Sequence, residues 1–130
     1  MKEKIELNGE AISLRKAFGE GMDSPIDIFS LIHNNDDLTI LFYPMSSRVS
    51  GMCINNGKNK IMGVNSSSTY GRQRFTIAHE LYHLFFHKDF KRIVCSKDLE
   101  INKDPQEREA DVFASYFLAP YESMVCFIKN

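Results

Sequence analysis

The sequence predicts an α+β domain in which an antiparallel three-stranded sheet packs on helices, and three observations carry that reading. Three short β-favouring runs, 38–43, 49–54 and 60–64, lie together in the middle of the chain. Apolar residues at helical spacing precede and follow them, and Pro25 and Pro105 stand where helices would begin. With 130 residues, 43% of them apolar, the chain can bury one good core, and no repeat or Pro/Gly-rich linker divides it, so 1–130 reads as a single domain.

Taken in order, Ile12, Leu14, Ala17 and Phe18 suit a short helix that starts after Asn8-Gly9 and closes near Gly19 or Gly21. Ser24-Pro25 reads as an N-cap followed by proline at the first helical position, opening a second helix through Ile26, Phe29 and Ile32 that stops at Asn34-Asn35. The strand 38–43 ends at Pro44. The runs 49–54 and 60–64 flank Asn55-Asn56-Gly57-Lys58-Asn59, a loop rich in residues that tolerate positive φ, and so pair as a hairpin. Thr69, or a serine in 66–68, caps a helix over 70–86 that offers Phe75, Ala78, Leu81, Tyr82 and Phe85 to the core. A less regular stretch covers 88–102. Asp104-Pro105 then opens a helix running through Leu118 and stopped by Pro120, and 122–128 adds a final turn or two.

The net charge is −1, with basic and acidic residues interspersed, so nothing in the composition attracts a polyanion or a membrane surface. Neither direct nucleic-acid binding nor membrane association is expected. The N-terminus lacks the apolar centre of a signal peptide and the longest apolar run, 38–45, is too short to span a bilayer, which predicts a cytoplasmic protein. Cys53, Cys95 and Cys126 are odd in number and form no Cys-x-x-Cys pair, so they read as buried or incidental thiols rather than as a disulfide framework or thiolate zinc site.

The chemistry gathers at His79-Glu80-Leu81-Tyr82-His83. Residues four apart on a helix share a side, so both imidazoles can aim a nitrogen at one zinc ion about 2.0–2.1 Å away. Glu80, next round the helix, can flank the ion without binding it and act as a base. In a chain with 4 His among 130 residues, chance supplies this pattern roughly 0.008 times. A catalytic zinc takes three protein ligands. His87 lies eight residues beyond His79, about 12 Å of helical rise, and cannot share the ion on an unbroken helix, so it reads as a helix-end residue or as support for a ligand. The third ligand should be a carboxylate from Glu107-Arg108-Glu109-Ala110-Asp111. Glu107 and Asp111 share a face beside the small Ala110 and Ala114, whereas Glu109 is rotated about 200° from Glu107. That selects Glu107 as ligand and Asp111 as the carboxylate that orients a histidine through its other ring nitrogen.

The segment Arg74-Phe75-Thr76-Ile77-Ala78-His79-Glu80-Leu81-Tyr82-His83, followed by Glu107-Arg108-Glu109-Ala110-Asp111-Val112-Phe113-Ala114, resembles the ImmA/IrrE group of bacterial and phage metallopeptidases. The resemblance implies a compact zincin fold of the gluzincin type, with His79, His83 and Glu107 as zinc ligands and Glu80 as general base. It also implies a substrate, since members of the group cleave or otherwise inactivate helix-turn-helix repressors of the Xre type. Tyr82 stands where the group usually has glycine and Asp111 where asparagine is common, and a bulky Tyr82 would narrow the site.

Zinc-dependent cleavage of a regulatory protein is therefore the expected function. The strand 60–64, directly before the zinc helix, is a candidate for pairing with an extended substrate, and Tyr70, Tyr116 or Tyr121 for stabilising an oxyanion. Two alternatives remain: a zinc-containing protein that inactivates a repressor or toxin partner by binding alone, and an interaction module whose zinc is structural.

Overall fold

A computed structural model of the chain describes residues 2–19, 26–33, 37–55, 59–87, 92–96 and 105–119. The first helix, α1 (Lys4–Ala17), begins before Asn8-Gly9 rather than after it. Leu7, Ala11 and Leu14 form a buried stripe at helical spacing, and burying them outweighs the roughly 1 kcal/mol that an interior glycine costs. Gly19 takes a positive φ of 78° just past the helix and donates to the Lys16 carbonyl, closing its end. The second helix, α2 (Ile28–His33), starts later than Ser24-Pro25 suggests. Asp27 caps it, its carboxylate accepting from the Ser30 amide and hydroxyl at 3.3 and 2.9 Å; Ser24 and Pro25 lie outside the described residues.

Four strands follow: β1 (Leu38–Tyr43), β2 (Val49–Asn55), β3 (Lys60–Asn65) and β4 (Arg92–Ser96). They form one mixed sheet in the order β1-β3-β2-β4. The β2–β3 hairpin is antiparallel, as its loop indicates, but β1 runs parallel to β3, and β4, antiparallel to β2, falls in the stretch read as irregular. The expectation of an antiparallel three-stranded sheet is thus corrected. The cause is the segment after β1, which crosses the end of β3 instead of turning back. Asn65, fully buried there, holds that segment with its side chain: its oxygen accepts from the Met45 amide, and its nitrogen donates to the carbonyls of Ser46 and Val49 at 3.1 and 2.8 Å. Because β3 is paired on both sides, it cannot take an added strand, so the suggestion that 60–64 pairs with substrate fails.

Helix α3 (Tyr70–Phe86) matches its sequence bounds, and Thr69 caps it by accepting from the Arg72 amide at 3.2 Å. From Thr76 to Leu84 every residue is buried, because α3 packs on β2 and β3 along one side and on α4 (Pro105–Leu118) along another. The approach to the sheet is close. A Cβ on Gly51 would meet the Gly63 carbonyl oxygen at 2.6 Å and Thr76 Cγ2 at 2.7 Å, so only glycine fits. Helix α1 covers α4, and buried Arg15 donates to the Phe117 carbonyl at 2.6 Å. No helix among the described residues is long and apolar enough to cross a membrane. Residues 122–128 lie outside the described set.

Candidate metal centre

Two helices bring together the residues that spacing singles out. His79 and His83 sit on successive turns of α3, and Glu107 comes from the first turn of α4. Ligand atoms of these three lie within 4.8 Å of one another. The detail is tighter: His79 Nε2 is 3.2 Å from His83 Nε2, and the Glu107 carboxylate reaches both, Oε2 to His79 Nε2 at 3.1 Å and Oε1 to His83 Nε2 at 2.9 Å. Donors bound tetrahedrally at about 2.0–2.1 Å would stand roughly 3.3 Å apart. The three donors are therefore spaced for a small tetrahedral cation, and among the described residues the group numbers three.

The outer ring nitrogens explain why the inner ones converge. Asp111, one turn along α4 from Glu107, accepts from His79 Nδ1 at 2.8 Å. A carboxylate there fixes the hydrogen on Nδ1 and leaves the Nε2 lone pair facing inward. His83 Nδ1 faces His87 Nδ1 at 3.0 Å. Without a cation, inward lone pairs and a carboxylate so close together repel unless a proton joins them. The titration of the group reflects this. Burial lowers the His79 pKa, but hydrogen bonds to Asp111 and Glu107 outweigh it and lift the value to about 9. Burial raises Glu107, but its bonds to His79 and His83 prevail and hold it well below the usual carboxylate range. A divalent cation replaces that proton with greater charge, so the donor set fits a metal such as zinc on its own chemistry.

Glu80 occupies the sheet side of α3. It is fully buried, and neither carboxylate oxygen has a hydrogen-bond partner. Cys53 of β2 lies beside it, and burial, followed by the charge and the closeness of the Glu80 carboxylate, pushes the thiol far above its ordinary pKa. This neighbour was not singled out from sequence. Period-two alternation could have found it: Gly51 abuts Thr76, so two residues along the strand and four along the helix, about 6–7 Å each, bring Cys53 level with Glu80.

Tyr82 does not narrow the centre. It is fully buried on the α4 and α1 side of α3, stacked on Phe86 and tilted against Phe113, with its hydroxyl donating to Glu10 Oε1 at 3.1 Å and accepting from Lys2 Nζ at 2.9 Å. Glu109, rotated away from Glu107 as helical geometry requires, is buried next to the same hydroxyl at 3.4 Å. Tyr70 is 67% exposed and stacks on Phe29, at the far N-terminal end of α3, which removes it from the centre. Tyr121 lies outside the described residues.

Comparison with known proteins agrees with this geometry. Residues 36–125 match the peptidase family described as the IrrE N-terminal-like domain. A relative, the radiation response metalloprotease IrrE of Deinococcus deserti, is 34% identical over 70 residues. That match covers 54% of this chain and 24% of the relative, so the chain corresponds to about a quarter of that protein's length. A matching family over most of its length, together with two histidines and a glutamate gathered as a metal-binding group, makes the chain a member of the ImmA/IrrE family of metallopeptidases.

Proposed function

We propose that this chain is a cytoplasmic zinc-dependent endopeptidase of the gluzincin type. In this reading His79, His83 and Glu107 hold the ion and Glu80 is the general base. The observation that carries it is the pairing of two unlike features: three donors converging on one point, and a buried carboxylate beside them with no partner of its own. A structural site would have no need of the second feature, since an unpartnered buried carboxylate costs stability.

Bound zinc would supply Lewis acidity, acidifying water and polarising a peptide carbonyl. The protein's own groups do the rest. Asp111 keeps the His79 ring in the orientation that turns Nε2 inward. Glu80, with both oxygens uncommitted, accepts the proton of the attacking water and delivers it to the departing amine nitrogen. His79 and Glu80 are adjacent on one helix, so ligand and base are held on the same rigid element.

For the substrate we propose a helix-turn-helix repressor of the Xre type, or a similar regulatory protein of a phage or mobile element. The support is membership of the family and a charge distribution that favours no nucleic acid or membrane. Incubating the zinc-loaded protein with an Xre-type repressor tests both parts. Cleavage by the wild type and none by Glu80→Gln is expected. Intact repressor retained equally by both proteins would replace this reading with inactivation by binding alone.

A further inference from the structure

The two histidines on α3 are supported by different chemistry. His79 is backed by a carboxylate, which can only accept. His83 is backed by another imidazole, which accepts at Nδ1 in just one of its neutral tautomers. We infer that His87 is the positioning residue of His83: its Nδ1 lone pair accepts from His83 Nδ1–H and so keeps His83 Nε2 free to bind the cation. The inference rests on the zinc-site reading above.

Distances carry the argument. At 3.0 Å the two Nδ1 atoms must share one hydrogen, because two lone pairs or two N–H groups would repel. His83 Nε2 faces Glu107 Oε1 at 2.9 Å and His79 Nε2 at 3.2 Å, so it needs a lone pair there for a cation. The shared hydrogen therefore belongs to His83 and the acceptor is His87. The backbone builds this contact on purpose of geometry alone: His87 is the C-cap of α3, leaves the helix at φ −110° and ψ 79°, and its amide still donates to the His83 carbonyl at 3.1 Å. Leaving the helix while tethered to its last turn brings the ring back against the outer nitrogen of His83, with ring centroids 5.1 Å apart. Tyr82 closes the other side, edge-on to His87 at 4.7 Å, and its own hydroxyl is fastened to α1 through Glu10 and Lys2. Thus the residue that is too far along the helix to be a ligand is well placed to orient one.

The test is zinc affinity, measured by competition with a chelating dye for the wild type, His87→Asn, His87→Phe and His87→Leu. Asparagine puts its side-chain oxygen where Nδ1 stands and keeps the acceptor; phenylalanine keeps the ring and loses the acceptor; leucine loses both. Loss of such a supporting partner weakens metal binding about 10- to 100-fold. The expected result is that loss in His87→Phe and His87→Leu, with His87→Asn close to wild type. Melting of the zinc-free proteins should not follow the same ranking, since phenylalanine preserves the packing on Tyr82. Wild-type affinity in both acceptor-free variants, or an equal loss in His87→Asn, would overturn the assignment of His87 alone. A wild-type chain that takes up no zinc would overturn the metal site and this inference with it.

Discussion

The two sides of α3 differ in how they treat polar groups. Toward α4 and α1, Glu107, Asp111, Glu109 and the Tyr82 hydroxyl each meet a partner at hydrogen-bonding distance. Toward the sheet, Glu80 and the Thr76 hydroxyl are buried with none. Folding tolerates an unsatisfied buried group only at a cost of about 1–3 kcal/mol, so the sheet side carries an expense that the paired groups of the α4 side avoid. Glu80 and Glu107 make the contrast concrete. One glutamate is fixed by two histidines, and the other is left open beside them.

Replacing Glu80 by glutamine should have the largest effect. If Glu80 is the proposed general base, its loss costs about 100- to 10,000-fold in turnover, while zinc binding is retained and the zinc-free protein melts no lower, because the carboxylate has no hydrogen bond to lose. A drop in both activity and melting temperature would show that Glu80 is framework like Glu107, and would break the comparison. Next comes Asp111→Ala, which should weaken zinc binding about 10- to 100-fold by freeing the His79 ring, measured by chelator competition. Unchanged affinity would mean that the α4 side does not hold the ligands in place.

The pH dependence sharpens the same contrast. His79 of the zinc-free chain is raised to about 9 from 6.5, so the stability it contributes is complete below pH 6.5 and is lost as the pH rises through 9. Glu107 is depressed, so its contribution is present above its ordinary 4.5 and is lost only as the pH falls toward its lowered value. Zinc must displace the His79 proton, so its apparent affinity should rise about tenfold per pH unit up to about 9 and then level off. A flat response over that range would contradict a proton held between His79 Nε2 and Glu107. The smallest effect on the centre belongs to Gly51→Ala. The added methyl group meets backbone at 2.6 Å, so the sheet must shift from α3 at a cost of about 1–3 kcal/mol, read as a lower denaturation midpoint. Zinc affinity should change less than in Asp111→Ala, because the atoms that the methyl group meets belong to Gly63 and Thr76 and to none of the three donors.

How much of this is legible in sequence depends on whether the cause is local. The bounds of α3 follow from its cap and its apolar spacing, both contained within the helix. The set His79, His83, Glu107 and Asp111 follows from helical periodicity on two separate helices, since that geometry does not depend on the rest of the fold. The hairpin between β2 and β3 is local too. The parallel placement of β1 is not: it is decided by Asn65, some 20 residues from the segment it fastens, and an asparagine at a strand end looks like an ordinary turn residue. The short strand β4 is paired to residues about 40 positions away, and its own five residues carry too little alternation to announce it. The placement of Tyr82 is not local either. Its bulk is visible in sequence, but the side of the helix on which that bulk is housed depends on Phe86, Phe113 and α1.

The fastening of α1 sets the order in which the molecule can be assembled. Lys2 reaches Tyr82 across 80 residues and Arg15 reaches Phe117 across 102, so α1 is synthesised well before the helices that hold it and finds its place only after they exist. Until α4 exists, the apolar stripe of Leu7, Ala11 and Leu14 has no surface to cover, and Glu107 has not yet joined the histidines. Completion of the three-donor group and docking of α1 therefore wait for the same helix, so α4 is the element on which both depend.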